Sequence, residues 1–338
     1  MAELVSIVGG GQMGLVMADA LVEQGHAVRM WSRLEDGADE LARTRQTALL
    51  PGFALNEAVE VVWDDREALD GASVIVCAIP TQFIRAVFTR LRWDARRNAI
   101  VVSVSKGIEV QTLLRPTQII AEVLGDVKEY PSHPMCALSG PTIAAELARR
   151  LPAAMVAASI DETVAGRVQE MFSAPWLRIY SHHDLIGVEM AGATKNVIAL
   201  AAGMIDGLGI GANAKSALLA RGLAEIARLG VALGATIETF FGIAGVGDLA
   251  TTCFSPFGRN RTCGERLGRG EKLEDVIASM NHVVEGVPTT KAVMKLARKS
   301  GVEMPITAAV HAILFEGLEP ARAIEKLMTR EPRPEGIH

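Results

Sequence analysis

Leu4-Val-Ser-Ile-Val8, Gly9-Gly-Gly-Gln-Met-Gly14, Leu15-Val-Met-Ala-Asp-Ala-Leu-Val-Glu-Gln24: these three stretches follow one another without a gap at the start of the chain. The first predicts a short apolar strand. The third predicts a helix over about 12–24, stopped by Gly25, and 26–31 reads as the next strand. Between them, Gly9, Gly11 and Gly14 form a G-x-G-x-x-G triplet in a βαβ context. The first glycine permits the tight turn, the second lets the backbone approach a pyrophosphate, and the third lets the helix pack on the sheet. The free N–H groups and dipole of the helix start favour the phosphates. Gly9, Gly11, Gln12, Met13 and Gly14 are therefore expected to hold a dinucleotide.

Working outward, further strands are expected at 59–63, 73–79, 99–104, 135–138, 153–158 and 177–180, with helices over 82–91, 111–124, 143–150 and 162–172 between several of them. Such alternation implies an α/β fold with a mostly parallel, helix-covered sheet. After about residue 185 the strand signals vanish, leaving helices punctuated by glycine. The expected organisation is a Rossmann-like N-terminal domain over 1–186, an all-α C-terminal domain over 187–328, and a Pro- and charge-rich tail over 329–338.

The second domain opens on Gly187-Val-Glu-Met-Ala-Gly-Ala-Thr-Lys195-Asn196-Val-Ile-Ala-Leu-Ala-Ala-Gly-Met-Ile-Asp-Gly-Leu208. A helix apolar nearly all round is a buried helix. An ammonium inside one is unfavourable unless it is paired or snorkels to water along its stem. A lysine held this way is suited to proton transfer, so Lys195 is a candidate general acid/base.

Composition narrows the remaining choices. A net charge of −5 gives no electrostatic footprint for nucleic acid. The longest apolar run is broken by Glu189, Lys195 and Asn196, which argues against a membrane span. Four scattered cysteines, Cys77, Cys136, Cys253 and Cys263, show no metal-like spacing and suit a reduced, cytoplasmic setting. The first residues enter a strand pattern with no basic, cleavable leader.

Several polar clusters have the character of anion sites. Ser103-Val-Ser-Lys106-Gly107 puts Lys106 at the C-terminal edge of a strand, where open α/β sheets bind ligands. Ser139-Gly140-Pro-Thr142 opens the helix expected over 143–150. Gly242-Ile-Ala-Gly-Val-Gly-Asp248 is a glycine-rich turn that delivers one carboxylate, and Thr252 follows it. Arg259 beside Asn260, in Gly258-Arg-Asn-Arg261, makes a phosphate clamp. At the end of the second strand stand Ser32 and Arg33, where an NAD-selective site usually has an acid; Arg33 is placed to meet a 2′-phosphate, so NADPH is expected to be accepted as well as NADH.

Together, Gly192-Ala-Thr-Lys195-Asn196, Ser105-Lys-Gly-Ile-Glu109, Leu138-Ser-Gly-Pro-Thr142 and Gly258-Arg-Asn-Arg261 resemble NAD(P)-dependent sn-glycerol-3-phosphate dehydrogenase of the bacterial type, over nearly the whole chain. The resemblance implies reversible reduction of dihydroxyacetone phosphate, a phosphorylated small substrate, for phospholipid synthesis, usually by a homodimer. It implies Lys195 as general acid/base, Asp248 as its partner and Lys106 beside them. It further implies substrate contacts at Lys106, Gly140, Thr142, Asn196, Thr252, Gly258, Arg259 and Asn260. Cofactor contacts are implied at Lys106, Ala144, Arg259, Val283 and Glu285 besides the glycine turn and Arg33. The family commonly has an aromatic residue where Met13 stands and Ser where Gly258 stands. Two other readings remain open. One is a β-hydroxyacid dehydrogenase or ketopantoate reductase relative, toward which the turn leans. The other is a nucleotide-binding redox sensor, which would be expected to lack the Lys195–Asp248 pair.

Overall fold

The computed structural model describes residues 2–91, 95–96, 98–125, 133–280, 283–332 and 334–335. The chain divides into two units, Met1–Ser105 with Pro116–Leu185, and Lys106–Arg115 with Ile186–His338. The single cut expected at 186 therefore misses one excursion: Lys106–Arg115 is part of the second unit. Of the expected tail, residues 333 and 336–338 lie outside the described residues.

The first unit is built on one eight-stranded sheet. Its strands are β1 (Leu4–Val8), β2 (Ala27–Trp31), β3 (Val59–Val62), β4 (Val74–Cys77), β5 (Ile100–Ser103), β6 (Met135–Ser139), β7 (Ala153–Ala158) and β8 (Leu177–His182). The order is β3-β2-β1-β4-β5-β6-β7-β8. Every neighbouring pair is parallel except β6 and β7. The exception has a local cause. The link from β6 to β7 contains only the one-turn helix Ala144–Leu147, short of the expected 143–150, and not the full helix that usually carries a parallel crossover. Strands β4, β5 and β6 are buried at every residue, as both faces of a helix-covered sheet require.

The helix Gln12–Glu23 ends as its sequence demands, with His26 N–H donating to Leu21 O and Gly25 N–H to Val22 O while Gly25 takes a left-handed φ of +83°. The helix expected over 111–124 instead starts at Pro116. Its first residues form a turn in which Glu109 N–H donates to Leu114 O, and Leu113 adopts φ +66°. Ile108, Val110 and Leu113 instead pack within the second unit, in a cluster with Met190, Val293 and Leu296.

The second unit is helical among the described residues, from Leu185–Leu208 to Pro320–Met328. Leu185–Leu208 is long and apolar enough to cross a membrane, but 94% of its apolar window is buried in the protein, which makes it the core helix. Val197, Ile198 and Leu200 pack there with Phe240, Leu249 and Val310. Each such side chain, fully buried, contributes about 1.5–3 kcal/mol.

Candidate active site

In the first unit the glycine turn leaves β1 where the strand order reverses, between β1 and β4, the place where open α/β sheets hold ligands. Gly9 sits at φ +121°, and a Cβ there would fall 2.7 Å from Ala78 O at the end of β4. A Cβ on Gly14 would overlap Gly9 O, so these two glycines are required by contact. At Gly11 an added Cβ would find nothing nearer than Ala78 O at 4.0 Å: the space over the helix start is open. No side chain caps this helix end. A bare turn with open space above an uncapped helix start fits a dinucleotide pyrophosphate. Gln12 Nε2 donates to Leu49 O at 2.5 Å, and Met13 packs on the apolar core. Ser32 is buried, while Arg33 is half-exposed and ion-paired to Asp36. Gly140 has φ +156°, Thr142 Oγ1 donates to Gly140 O at 3.1 Å, and Ala144 opens the one-turn helix.

In the second unit one carboxylate collects two ammoniums. Lys106 Nζ donates to Asp248 Oδ2 and Lys195 Nζ to Asp248 Oδ1, each at 2.7 Å. Asp248 begins the helix Asp248–Phe254, and Thr252, one turn on, shares its face. Lys195 Nζ also donates to Thr252 Oγ1 at 2.5 Å. Lys195 is 6% and Asp248 2% exposed, so the charges satisfy one another in place of water. Burial alone would raise the Asp248 carboxyl, but the Lys106 and Lys195 ammoniums outweigh it and hold the pKa below the ordinary value. Burial pushes Lys106 down to about 8 against the pull of Asp248, and the neighbouring charge of Lys195 adds to the fall. The buried Lys195 has thus found a partner, and the paired arrangement can hold and move a proton.

Asn196 and Asn260 lock this group from behind. Asn196 Nδ2 donates to Lys106 O at 3.1 Å, Asn260 Nδ2 donates to Asn196 Oδ1 at 3.0 Å, and Gly286 N–H donates to Asn260 Oδ1 at 2.9 Å. Asn260 therefore holds Asn196 and the helix Gly286–Ser300, in addition to any ligand. Gly258 is the N-cap of Arg259–Gly268 and supplies no side-chain cap, so that helix end is open to an anion beside Arg259. Burial lowers the Arg259 guanidinium's pKa, opposed by the Glu285 carboxylate. Val283 is partly exposed, and Glu285 precedes the helix Gly286–Ser300.

Two supporting groups escape a reading from sequence. Glu189, buried in the apolar core helix, takes an ion pair from Arg115, which pins the far end of the Lys106 segment. Asp206, near the end of the same helix, takes Lys215 Nζ at 2.7 Å and Arg261 Nε at 2.7 Å. The available signal is the one that marks Lys195: a charge inside an otherwise apolar helix.

Two family models match the chain, the N-terminus of NAD-dependent glycerol-3-phosphate dehydrogenase over residues 4–165 and its C-terminus over 184–325. The glycerol-3-phosphate dehydrogenase (NAD(P)+) of Geobacter sp. strain M21 is 43% identical over 338 residues, covering 100% of both chains. That of Thermobifida fusca is 44% identical over 333 residues, covering 98% of each. The crystal structure of glycerol-3-phosphate dehydrogenase from Coxiella burnetii superposes with a TM-score of 0.90 at 33% identity, covering 97% of this chain and 99% of that one. The chain belongs to the NAD-dependent glycerol-3-phosphate dehydrogenase family.

Proposed function

We propose that this protein reduces dihydroxyacetone phosphate to sn-glycerol 3-phosphate, reversibly and with NADH or NADPH, and so supplies glycerophospholipid synthesis. The observation that carries the reading is the buried Lys106–Asp248–Lys195 group in a chain of this family. The bound nicotinamide supplies or accepts the hydride. Gly9, Gly11, Gln12, Met13 and Gly14 would hold its dinucleotide, with Arg33, Ala144, Val283 and Glu285 as further contacts.

As negative charge develops on the ketone oxygen, the Lys195 ammonium stabilises it and donates the proton; in oxidation the neutral amine takes the hydroxyl proton. Asp248 orients Lys195 and Lys106 through its two oxygens, and Thr252 fixes the direction of Lys195. Arg259, with the open helix start after Gly258, takes the substrate phosphate, and that remote grip positions the reacting carbon. Lys106, Gly140, Thr142, Asn196 and Asn260 complete the substrate contacts. The buried free thiols of Cys77, Cys136, Cys253 and Cys263 suit a reducing cytoplasm, and the family resemblance supports a homodimer.

The test is NADH and NADPH oxidation by the purified protein with dihydroxyacetone phosphate, set against dihydroxyacetone and 3-hydroxy acids. Turnover confined to the phosphorylated ketone supports the reading; turnover of unphosphorylated hydroxy acids instead would replace it.

A further inference from the structure

The C-terminal ends of β2 and β3 open into a cavity of about 620 Å³, lined by Arg33, Leu34, Glu35, Trp63, Asp64, Asp65, Arg66 and Arg90. Three arginines face three neighbouring acids there, and the pairing is uneven. Arg90 is committed: its Nε lies 2.8 Å from Asp65 Oδ2, and its guanidinium covers the Trp31 ring at 5.4 Å. Arg66 makes no carboxylate pair among the described residues. Arg33 is held by a residue of its own turn, with Nε donating to Asp36 Oδ2 and Nη2 to Asp36 Oδ1, both at 2.7 Å. This fork-on-fork geometry occupies the two guanidinium positions that a phosphate monoester would take.

Ser32, at the strand end itself, is buried against the glycine turn; a Cβ on Gly10 would lie 2.9 Å from its Oγ. No acid stands at that position to repel a 2′-phosphate, and the first cation beyond it is already engaged. Both partners are about half exposed, at 48% and 49%. A pair so exposed is worth little and exchanges readily.

Resting on the cofactor reading above, we propose that Asp36 sets the choice between NADPH and NADH: it competes with the 2′-phosphate for Arg33. When the phosphate enters, it takes Arg33 from Asp36 and draws on Arg66. NADH, with a bare ribose hydroxyl, leaves the Arg33–Asp36 pair closed. Asp36 acts through Arg33 and is a specificity-determining residue.

The experiment is equilibrium binding, by calorimetry and by quenching of protein fluorescence, of NADPH, NADH, 2′,5′-ADP and 5′-ADP to the full chain. Asp36→Asn should raise the ratio of NADPH to NADH affinity by about two- to fivefold, the upper part of the range for releasing one exposed ion pair. The ratio of 2′,5′-ADP to 5′-ADP affinity should move with it. Arg33→Ser should lower both ratios by about tenfold. Combined with Arg33→Ser, Asp36→Asn should lose most of its effect. Ratios that stay within twofold of the unmodified protein in Asp36→Asn, or that rise equally with Arg33 absent, overturn the proposal. Failure of the unmodified chain to bind either dinucleotide would instead overturn the cofactor reading on which it rests.

Discussion

Asn260 and Asn196 are joined amide to amide, Nδ2 of the first donating to Oδ1 of the second at 3.0 Å, and both side chains are buried. The pair is the middle of a relay from Gly286 N–H to the carbonyl of Lys106. Asn260→Ala removes an acceptor from Gly286 and a donor from Asn196 at one stroke. Leaving buried polar groups unpaired costs about 1–3 kcal/mol each. Urea denaturation should show a loss in at least that range, and turnover should fall because the Lys106 backbone is released. Unchanged stability with a raised KM alone would mean that Asn260 acts only on the ligand.

Lys195→Ala should lower kcat at least about a hundredfold, the usual effect of removing a positioned acid. Lys195→Arg should not restore it, since guanidinium does not give up its proton near neutral pH. Steady-state rates on protein with native circular dichroism decide this. Near-normal turnover in either variant would remove Lys195 from the chemistry.

Lys106 gives a pH signature. Its pKa is lowered to about 8, so its ammonium is lost in the folded protein as pH rises through that value, well before a free lysine would lose it. Catalysis that uses the Lys106 charge should therefore decline on an alkaline limb near pH 8. Lys106→Arg keeps the charge and should abolish that limb in the kcat/KM profile, whatever its rate at neutral pH. Asp248→Asn withdraws the attraction that raises this pKa, so its residual activity should decline from a lower pH.

The sequence makes the sheet almost wholly legible because each strand is an apolar run bounded by turn residues. The bounds expected for β1 and β7 coincide with the observed strands. The glycine turn and the Lys195 helix are equally legible, since each breaks a local rule for a reason. What sequence reading misses is long-range in origin. Nothing near Lys106 announces that 106–115 joins the second unit; Glu189 lies 74 positions from Arg115 along the chain. The direction of β7 follows from the short helix before it, and helix ends are set by packing more than by pattern. Asn260, expected as a clamp from its neighbour Arg259, is seen in the structure as a brace, bonded to Asn196 and Gly286.

Glu225 ties stability to pH. Its carboxylate accepts from Ile306 N–H at 2.6 Å and from Thr307 N–H at 3.2 Å, closing the start of the helix Pro305–Phe315. Burial pushes its pKa up to about 7, against those hydrogen bonds and the charge of Arg228. A raised carboxyl pKa means that the unfolded chain ionises first, from its ordinary value near 4.5. The stabilisation is complete below that value and is lost as pH rises through about 7. Between these limits the wild type should lose roughly 3 kcal/mol relative to Glu225→Gln, which has no charge to bury. Denaturant titrations of both proteins from pH 4.5 to 8 measure the difference; a flat difference across that window would show that Glu225 is ionised throughout.

Four glycines set the distance between the helix that carries Lys195 and the helix that carries Arg259. A Cβ on Gly203 would overlap Arg261 O, on Gly207 Glu265 O, on Gly264 Leu200 O and on Gly268 Met204 O. On each helix the two glycines are four residues apart and share a face, so the backbones of Leu185–Leu208 and Arg259–Gly268 touch along a line. That line ends at the Asn196–Asn260 bond, and the spacing of the helices thus fixes the start of Arg259–Gly268, which carries the proposed phosphate clamp, relative to Lys195. Helix propensity alone favours Gly264→Ala by about 1 kcal/mol. Overlap with a carbonyl that cannot swing aside costs about 1–3 kcal/mol or more, and should win. Gly166 provides the control, because its helix Glu162–Phe172 leaves open space where a Cβ would stand. Gly166→Ala should gain up to about 1 kcal/mol from the same propensity. Gly264→Ala should lose stability and raise KM for the phosphorylated substrate together, as the clamp is pushed away. Should Gly264→Ala match Gly166→Ala in urea, the helices are not in backbone contact and the clamp is positioned by its side-chain bonds alone.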